Sequence, residues 1–387
     1  MAAVIPDMID EALGAQPGDA RHALRRRRAK VVDASEAALE AVLDRDLPGL
    51  SLAERLEAAQ VVAQSSGCEP LAACYRARLA AVTSDAAGDH AHAAGGAPAC
   101  VEDARRATLL GFARTLAERP QDAGRERLLA LPAAGLSVDA VVTLAQLIGL
   151  VAYQARVVAG LAAMTGLQAV AAPAEAGPTA AFVHPANLPA PGEPVRIRGF
   201  TSEPLDWKAW LPVLDVAQAT DYQRAVLKAS HPSASSSDYY LTLVRQPRIL
   251  EQRSAAFNAI MYAPGGMSRA ERELASTVTS RVNGCVYCAA VHALRYEQLT
   301  GQNAVIAQVF EDPETAGTTP RERAIVRASI ALTRDPAGFG AVELAALTAA
   351  GVGSAEALDL IHAIAIFAWA NRLMLNLGEP VYPARAS

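Results

Sequence analysis

The sequence repeats itself once, at an offset of 216 to 218 residues. Residues 268–295 align with 51–78 without a gap, and 11 of these 28 positions are identical. Two further windows continue the register at offsets of 216 and 218: 346–351 with 130–135, and 248–251 with 30–33. Alanine richness inflates each match, but three windows whose offsets differ so little indicate a tandem duplication.

The duplication predicts two copies of one domain. We expect the first copy at 1–168 and the second at 241–387. Residues 169–240 between them are rich in proline, alanine and serine, which is typical of a linker with some ordered structure. Within it, 195–198 could form a short strand, and 205–228 has helix-like spacing. A chain of 387 residues exceeds one ordinary core, in agreement with two domains.

Composition and periodicity predict an all-α fold, namely two tandem helical bundles. Hydrophobic residues make up 52% of the chain and aromatic residues only 5%, which suits packed helices better than sheets. Apolar residues recur at helical spacing, connections are short and strand-like alternation is absent. We expect helices near residues 30–45, 51–65, 68–82, 102–118, 137–160, 246–262, 268–282, 285–300, 302–311, 320–334, 341–350 and 354–376.

One stretch of the second copy carries the candidate chemistry. Cys285, Cys288 and His292 are spaced at i, i+3 and i+7, so their side chains share one helical face. Asn283-Gly284 just before them is a stop-and-turn signal, which predicts that Cys285 opens a new helix. A thiol at a helix N-terminus is favoured as the thiolate by the helix dipole. This face therefore offers two thiols one turn apart and an imidazole that can relay a proton.

Glu273 belongs to the same candidate site. The break at Asn283-Gly284 allows the chain to fold back, so that this carboxylate and the thiols can meet. In the first copy the positions of Glu273, Cys288 and His292 hold leucine, leucine and tyrosine, and only the position of Cys285 keeps its thiol, as Cys68. The joint loss favours a functional unit in the second copy and a degenerate, structural first copy.

Charge and cysteine usage exclude several classes of protein. The net charge of −5 argues against a nucleic-acid surface, and the basic run 25–28 is interpreted as a solvated helix end. The five cysteines are an odd number, so a secreted disulfide framework is not expected. The sequence shows no signal peptide and no uninterrupted apolar stretch of membrane-helix length. We expect a soluble, cytoplasmic protein that binds neither membranes nor nucleic acids.

The spaced motif resembles a known family. Glu273, eleven intervening residues, Cys285-Val-Tyr-Cys288, three more residues and His292 are similar to the signature of AhpD-like alkylhydroperoxidases, in the carboxymuconolactone decarboxylase superfamily. The resemblance implies an all-helical fold and reduction of organic hydroperoxides by a thiol pair. It makes Cys288 the attacking thiol and Cys285 the resolving one, with Glu273 and His292 as the proton relay. Family members often have histidine where this chain has Tyr287.

The resemblance also implies partners. The expected substrate is a small hydroperoxide, a dithiol or reductase has to reopen the disulfide, and neither a cofactor nor a metal is expected. Single-copy relatives assemble as rings of dimers, so we expect this fused chain to form an internal pseudo-dimer. The whole chain is expected to be a homo-oligomer, with a trimer of pseudo-dimers as the form that such rings suggest.

Other interpretations of the same residues stay open. Cys285, Cys288 and His292 could hold a structural metal with Glu273 as fourth ligand. The same fold could carry decarboxylase or lactone chemistry, although such relatives need not have the thiol pair. The thiols could also be packing residues of a non-catalytic protein.

Three histidines outside the motif are less promising. His362 is interpreted as a core histidine, with a place in the site wall as the alternative. His90 and His92 are too few for a metal site without a third ligand.

Overall fold

The computed structural model describes residues 7–89, 99–166, 190 and 192–382, with the backbone alone for 85–89 and 99–101. His90, His92 and most of the expected linker lie outside the described residues. In the first copy the helices are α1 Met8–Leu13, α2 Ala20–Arg26, α3 Ala29–Val42, α4 Leu52–Ser65, α5 Glu69–Asp89, α6 Ala99–Glu118, α7 Arg125–Ala133 and α8 Val138–Met164.

The elements that follow complete the described chain. They are β1 Arg196–Ile197, β2 Phe200–Thr201, β3 Asp206–Ala209, α9 Asp221–Ser230, α10 Asp238–Leu243, α11 Pro247–Met261, α12 Arg269–Val282, α13 Val286–Thr300, α14 Ala304–Glu311, α15 Pro320–Arg334, α16 Ala341–Ala349, α17 Ser354–Asn376 and β4 Gly378–Val381. The predicted all-α class is confirmed. Every expected helix is present with small shifts at its ends, while α1, α2, α7 and α10 were not anticipated.

Helix starts explain why the predicted boundaries hold. Ser51 and Ser268 are each the N-cap of a helix that starts with a capping box. In this motif the serine hydroxyl accepts a hydrogen bond from the backbone N–H of a glutamate, and the glutamate side chain accepts one from the backbone N–H of the serine. These two glutamates are Glu54 and Glu271, at equivalent positions of the repeat. Thr319 caps α15 in the same way, with Pro320 at the first helical position.

The core of the molecule is the seam between α8 and α17, the longest helix of each copy. Both are long and apolar enough to cross a membrane, but 89% of the apolar window of each is buried inside the protein. Their length and hydropathy are those of core helices packed against each other, and give only weak support for a membrane span.

Contacts across this seam are related by the repeat. Trp369 donates from Nε1 to the side-chain Oε1 of Gln146 at 2.9 Å, and the Tyr153 hydroxyl lies 3.2 Å from Nδ1 of His362. At the offset of 216, Tyr153 corresponds to Trp369 and Gln146 to His362. Each copy therefore places an aromatic side chain that can form a hydrogen bond against a polar side chain of the other.

Two buried arginines show the same relation. Arg156 donates to the carbonyl of Thr333 at 2.7 Å, and Arg372 donates to the carbonyl of Ala117 at 2.6 Å. Both the arginines and the carbonyls are 216 residues apart. The guanidinium of each copy thus caps the C-terminal end of a helix in the other.

The interpretation of the basic run 25–28 as a solvated helix end holds for Arg26 and Arg27, which are exposed at the end of α2, and is wrong for Arg25 and Arg28. Arg25 is 1% exposed and pairs with three carboxylates, those of Asp7, Asp10 and Glu36. Arg28 pairs with the buried Asp359 of the second copy at 2.6 Å. A buried arginine loses its water, so it lies where carboxylates replace the lost hydrogen bonds.

The described part of the segment between the copies, residues 190 and 192–240, contains short strands and helices. The short strand expected at 195–198 exists as β1, paired with β2. The helix-like spacing around Trp207 was misleading, because this residue lies in β3, which pairs with β4 after the last helix. Trp207 donates to the carbonyl of Met374 at 3.0 Å, which ties the segment to the second copy.

Gly149 provides a test of the seam. A Cβ at this position would overlap the ring of Trp369, whose indole is fixed by its hydrogen bond to Gln146. We expect Gly149→Ala to lower the free energy of unfolding by about 1–3 kcal/mol, the usual result of overpacking. Gly111→Ala in α6 is the control, because a Cβ there meets nothing within 4 Å. Chemical denaturation should show the control to be neutral or slightly more stable; equal effects of the two substitutions would contradict this packing.

Candidate active site

The α12–α13 hairpin builds the site. Gly284 ends the first helix with φ of 77°, a left-handed conformation that glycine adopts without strain. The backbone N–H of Cys285 then donates to the carbonyl of Ser280 at 2.8 Å, and Cys285 becomes the N-cap of α13. The chain reverses as the Asn283-Gly284 signal predicted, and α13 lies against α12.

This reversal brings Glu273 and His292 together. The Glu273 carboxylate is fully buried and hydrogen-bonded to Nδ1 of His292. Arg269, one turn earlier on α12, pairs with its other oxygen. Burial by itself would raise the pKa of Glu273, but His292 and then Arg269 outweigh burial and hold this pKa below its ordinary value. The carboxylate therefore stays charged and fixes the orientation of the imidazole.

The lowered pKa of Glu273 has a consequence for stability. A carboxylate with a depressed pKa in the folded state contributes stability above its unfolded pKa, and this stability is lost as pH falls through the folded value. We therefore expect the difference in free energy of unfolding between wild type and Glu273→Gln to decrease from about pH 6 to about pH 3. Urea denaturation at a series of pH values measures it. A difference that does not change with pH would show that the charge of Glu273 contributes nothing.

The two thiols occupy different environments. Cys288 is one turn into α13 and lines a pocket together with Glu273 and His292. Cys285 is 1% exposed, against 4% for Cys288; it does not line the pocket and is hydrogen-bonded to Cys288. Both are free thiols in this structure. The expected ionisation of Cys285 by the helix dipole was wrong, because burial, followed by the hydrogen bond to Cys288, raises the pKa of Cys285 well above its ordinary value.

A buried polar network surrounds Cys285. Asn371 of α17 contacts the thiol and accepts a hydrogen bond from Asn283 at 2.9 Å. It also donates to the hydroxyl of Ser280 at 3.0 Å. The contact with Asn371 opposes the rise in the pKa of Cys285. Asn371 was not anticipated from the sequence, since a lone asparagine in an apolar helix gives no signal of its partner.

The pocket has a volume of about 260 Å³. Its walls come from α11, α12, α13 and α17, and from residues 231–240 of the segment between the copies. Phe367 packs edge-on against the His292 ring at 4.4 Å between centroids. Burial, followed by the neighbouring Cys288, raises the pKa of Tyr287 to about 12, so this residue is neutral at physiological pH. The aromatic lining residues are Tyr239, Tyr240, Phe257, Tyr262, Tyr287 and Phe367.

Residues 231–238, a serine-rich stretch of the expected linker, form part of the pocket wall. Loop composition hid this role, because serine-rich sequence predicts only an irregular segment. The adjacent pair Tyr239-Tyr240 is the signal that could have revealed it, since consecutive aromatics at the end of a polar loop are typical of a covered surface.

The first copy lacks the corresponding chemistry. Burial raises the pKa of the Cys68 thiol to about 11, and burial with the nearby Glu11 does the same for Cys74. Tyr75, at the position of His292, donates to the Gln154 side chain in the interior. These thiols are poor nucleophiles at neutral pH. The side chain of Cys100 lies outside the described part of the chain.

The remaining candidates lie elsewhere. His362 is buried in the seam beside Tyr153 and does not line the pocket; burial and then Arg25 lower its pKa to about 4, as expected of a neutral core histidine. Within the described residues, no three histidine, cysteine, aspartate or glutamate side chains are arranged to hold a metal ion. The alternative of a structural metal site therefore has no donor cluster in that part of the chain.

Comparison with known proteins finds a family whose model matches part of the second copy. The family model described as "Carboxymuconolactone decarboxylase family" matches residues 247–331, which span α11 to α15. Among solved structures, the chain is similar to an alkylhydroperoxidase AhpD core, an uncharacterized peroxidase-related protein from Ralstonia eutropha JMP134. That similarity has 23% identity and a TM-score of 0.37 over 44% of this chain and 97% of the other. No curated protein matches. The resemblance inferred from the motif is confirmed, because residues 247–331 match the carboxymuconolactone decarboxylase family.

Proposed function

We propose that the second copy is a thiol-dependent peroxidase that reduces organic hydroperoxides. The observation that carries the proposal is that Cys288 shares one pocket with the buried Glu273–His292 pair. A thiol nucleophile, an imidazole and an orienting carboxylate form the arrangement that activates a cysteine. Cys285 lies one turn away, where a resolving thiol is needed.

The proposed reaction has two steps. The Cys288 thiolate attacks the terminal oxygen of the hydroperoxide, the O–O bond breaks, and the leaving alkoxide takes a proton from His292 to become an alcohol. Cys288 is then a sulfenic acid. Cys285 attacks its sulfur, a disulfide forms, and the hydroxide that leaves is protonated to water. Two thiols have thus reduced one hydroperoxide, and an external dithiol has to restore them.

The burial of Cys285 supports this division of roles. The high pKa of Cys285 keeps this thiol protonated, whereas Cys288 lines the pocket. Cys288 can therefore react with the substrate, and Cys285 remains available for the second step. Disulfide formation requires the two sulfurs to approach at the first turn of α13, where helix ends adjust most easily.

The duplication is proposed to serve as a scaffold. The first copy, 1–168, would act as a fixed partner of the catalytic copy, 241–387, with 169–240 connecting them and its residues 231–240 covering the pocket. The repeated contacts across the α8–α17 seam support this interpretation. A cytoplasmic location, which keeps Cys285 and Cys288 reduced between turnovers, and assembly into a homo-oligomer belong to the same proposal.

A decarboxylase-like reaction on the same fold is the second candidate, because the matching family bears that name. It gives the free thiol pair no role. Substitution of both Cys285 and Cys288 by serine should leave decarboxylation of a lactone acid intact but remove peroxide reduction, and this separates the two candidates.

A steady-state assay tests the proposal. Purified protein supplied with cumene hydroperoxide and a dithiol should consume peroxide at a rate proportional to protein concentration, because the dithiol reopens the disulfide after each turnover. Cys68→Ala should keep nearly the wild-type rate, since its copy lacks the partners of the site. No protein-dependent consumption with any of several dithiols would count against a peroxidase.

A further inference from the structure

One buried arginine of the pocket is without a counter-ion. Arg253 lies on α11, is 5% exposed, and lines the same pocket as Cys288. No carboxylate among the described residues pairs with it. The other five buried arginines all donate to carboxylates or backbone carbonyls: Arg25, Arg55, Arg156, Arg272 and Arg372. Arg253 is therefore the exception that needs an explanation.

Its guanidinium makes no hydrogen bond to any described residue. Nε is fully buried and has no partner among the described residues, and the side chain lines the pocket. The group lies 5.6 Å from the centre of the Tyr239 ring and 5.4 Å from that of Phe257. Aromatic faces attract a cation, but they do not replace the oxygen acceptors that five N–H donors require. The two rings hold the guanidinium in place, but its N–H donors have no oxygen acceptor among the described residues.

The charge balance of the pocket indicates what fits there. Glu273 is the only carboxylate among the described lining residues, and it is already bonded to His292 and Arg269. Arg295 also lines the pocket without a carboxylate partner among the described residues, but it is exposed to solvent, so the one buried positive charge left uncompensated is that of Arg253. A carboxylate carries one negative charge and matches the planar guanidinium fork in two parallel hydrogen bonds. A phosphate monoester carries nearly two charges at neutral pH, more than the single buried charge of Arg253 compensates.

We propose that Arg253 binds a carboxylate of the substrate, so that the molecule presented to Cys288 is a carboxylate-bearing compound with an apolar body. The body would pack on lining residues such as Phe257, Phe367 and Met374. That the group at the other end is a hydroperoxide rests on the function proposed above. The pocket is small, so the body has to be short or extend out of the opening.

The repeat agrees with this assignment. At the offset of 218 that aligns 248–251 with 30–33, Arg253 corresponds to Ser35 of the first copy. Ser35 is a core residue whose hydroxyl donates to the carbonyl of Val32. The arginine is thus absent from the copy that also lacks Glu273, Cys288 and His292. This joint absence is expected if Arg253 belongs to the same functional site as these residues.

A matched pair of substrates tests the proposal. Cumene hydroperoxide carrying a para-carboxylate is compared with its methyl ester. The wild-type KM should be at least about tenfold lower for the acid. Arg253→Met should raise KM for the acid by about the same factor, with little change in kcat and none for the ester, and Arg253→Lys should recover part of the loss. Arg248→Met, on the same helix but outside the pocket, is the control and should keep the preference. Equal KM values in the wild type, or equal losses for acid and ester in Arg253→Met, would overturn the assignment.

A binding measurement separates this proposal from the peroxidase. The two corresponding alcohols, which cannot react, are titrated into wild type and Arg253→Met by calorimetry, with inorganic phosphate as a third ligand. Tighter binding of the carboxylate alcohol to wild type alone supports Arg253 even if neither peroxide is reduced, in which case only the peroxidase fails. The assignment is overturned, whatever the activity, if wild type binds the carboxylate alcohol no more tightly than the ester alcohol. It is also overturned if wild type binds phosphate more tightly than the carboxylate alcohol.

Discussion

Replacing Cys288 by serine is expected to abolish hydroperoxide reduction, with a loss of at least roughly 10³-fold, as for the removal of other catalytic nucleophiles. A serine hydroxyl at this position is not ionised at neutral pH and cannot form a sulfenic acid. The fold should be unaffected, because oxygen replaces sulfur at a position that faces the pocket. Stopped-flow measurement of peroxide loss in a single turnover gives the rate.

Cys285→Ser is the matched control for this prediction. Without the resolving thiol the enzyme should still consume one equivalent of peroxide and then stop as a Cys288 sulfenic acid or as a mixed disulfide with the added thiol. Trapping with dimedone identifies the sulfenic acid. If Cys285→Ser were inactive in the first turnover while Cys288→Ser still formed a sulfenic acid, the roles of the two thiols would be reversed.

The second large effect is expected from the proton relay. Glu273→Gln and His292→Ala should each slow the first turnover by roughly 10²-fold or more, which is the usual contribution of general acid–base catalysis. Glu273 holds the imidazole through its hydrogen bond to Nδ1, so the glutamine variant loses the charge and keeps the shape. The loss should become smaller as pH rises, because the Cys288 thiol then ionises without assistance.

The pH profile of the first-turnover rate provides the decisive comparison. The variants should approach the wild-type rate at high pH, and Tyr287→Phe, which removes a hydroxyl from the pocket but leaves the relay intact, should follow the wild-type profile. A loss that stays constant at every pH would assign Glu273 and His292 a structural role instead of proton transfer.

Local signals made much of the fold predictable. The capping boxes at Ser51 and Ser268 fix where helices begin, and Gly284 fixes where the chain reverses. The order of Glu273, Cys288 and His292 in the sequence was therefore sufficient to place them on one hairpin. The sequence repeat then identified the candidate site residues, because it separated residues kept in both copies from those that the first copy has lost.

What could not be predicted depends on distant packing. The high pKa of Cys285 follows from burial under α17, which a helix-dipole argument on α13 alone does not include. Asn371 and Arg253 reach the site from α17 and α11, and neither carries a local signal of its partner. The pocket wall at residues 231–240 looked like a linker, because composition reports polarity and not what a segment covers.

The most direct test of the account is the stoichiometry of one turnover. Fully reduced protein is mixed with one equivalent of cumene hydroperoxide without added dithiol, and free thiols and disulfides are mapped by mass spectrometry. The account predicts that each peroxide consumed removes two thiols per chain and produces a Cys285–Cys288 disulfide, with Cys68, Cys74 and Cys100 still reduced. Peroxide left unconsumed, or thiols lost mainly from the first copy as a Cys68–Cys74 bridge, would contradict it.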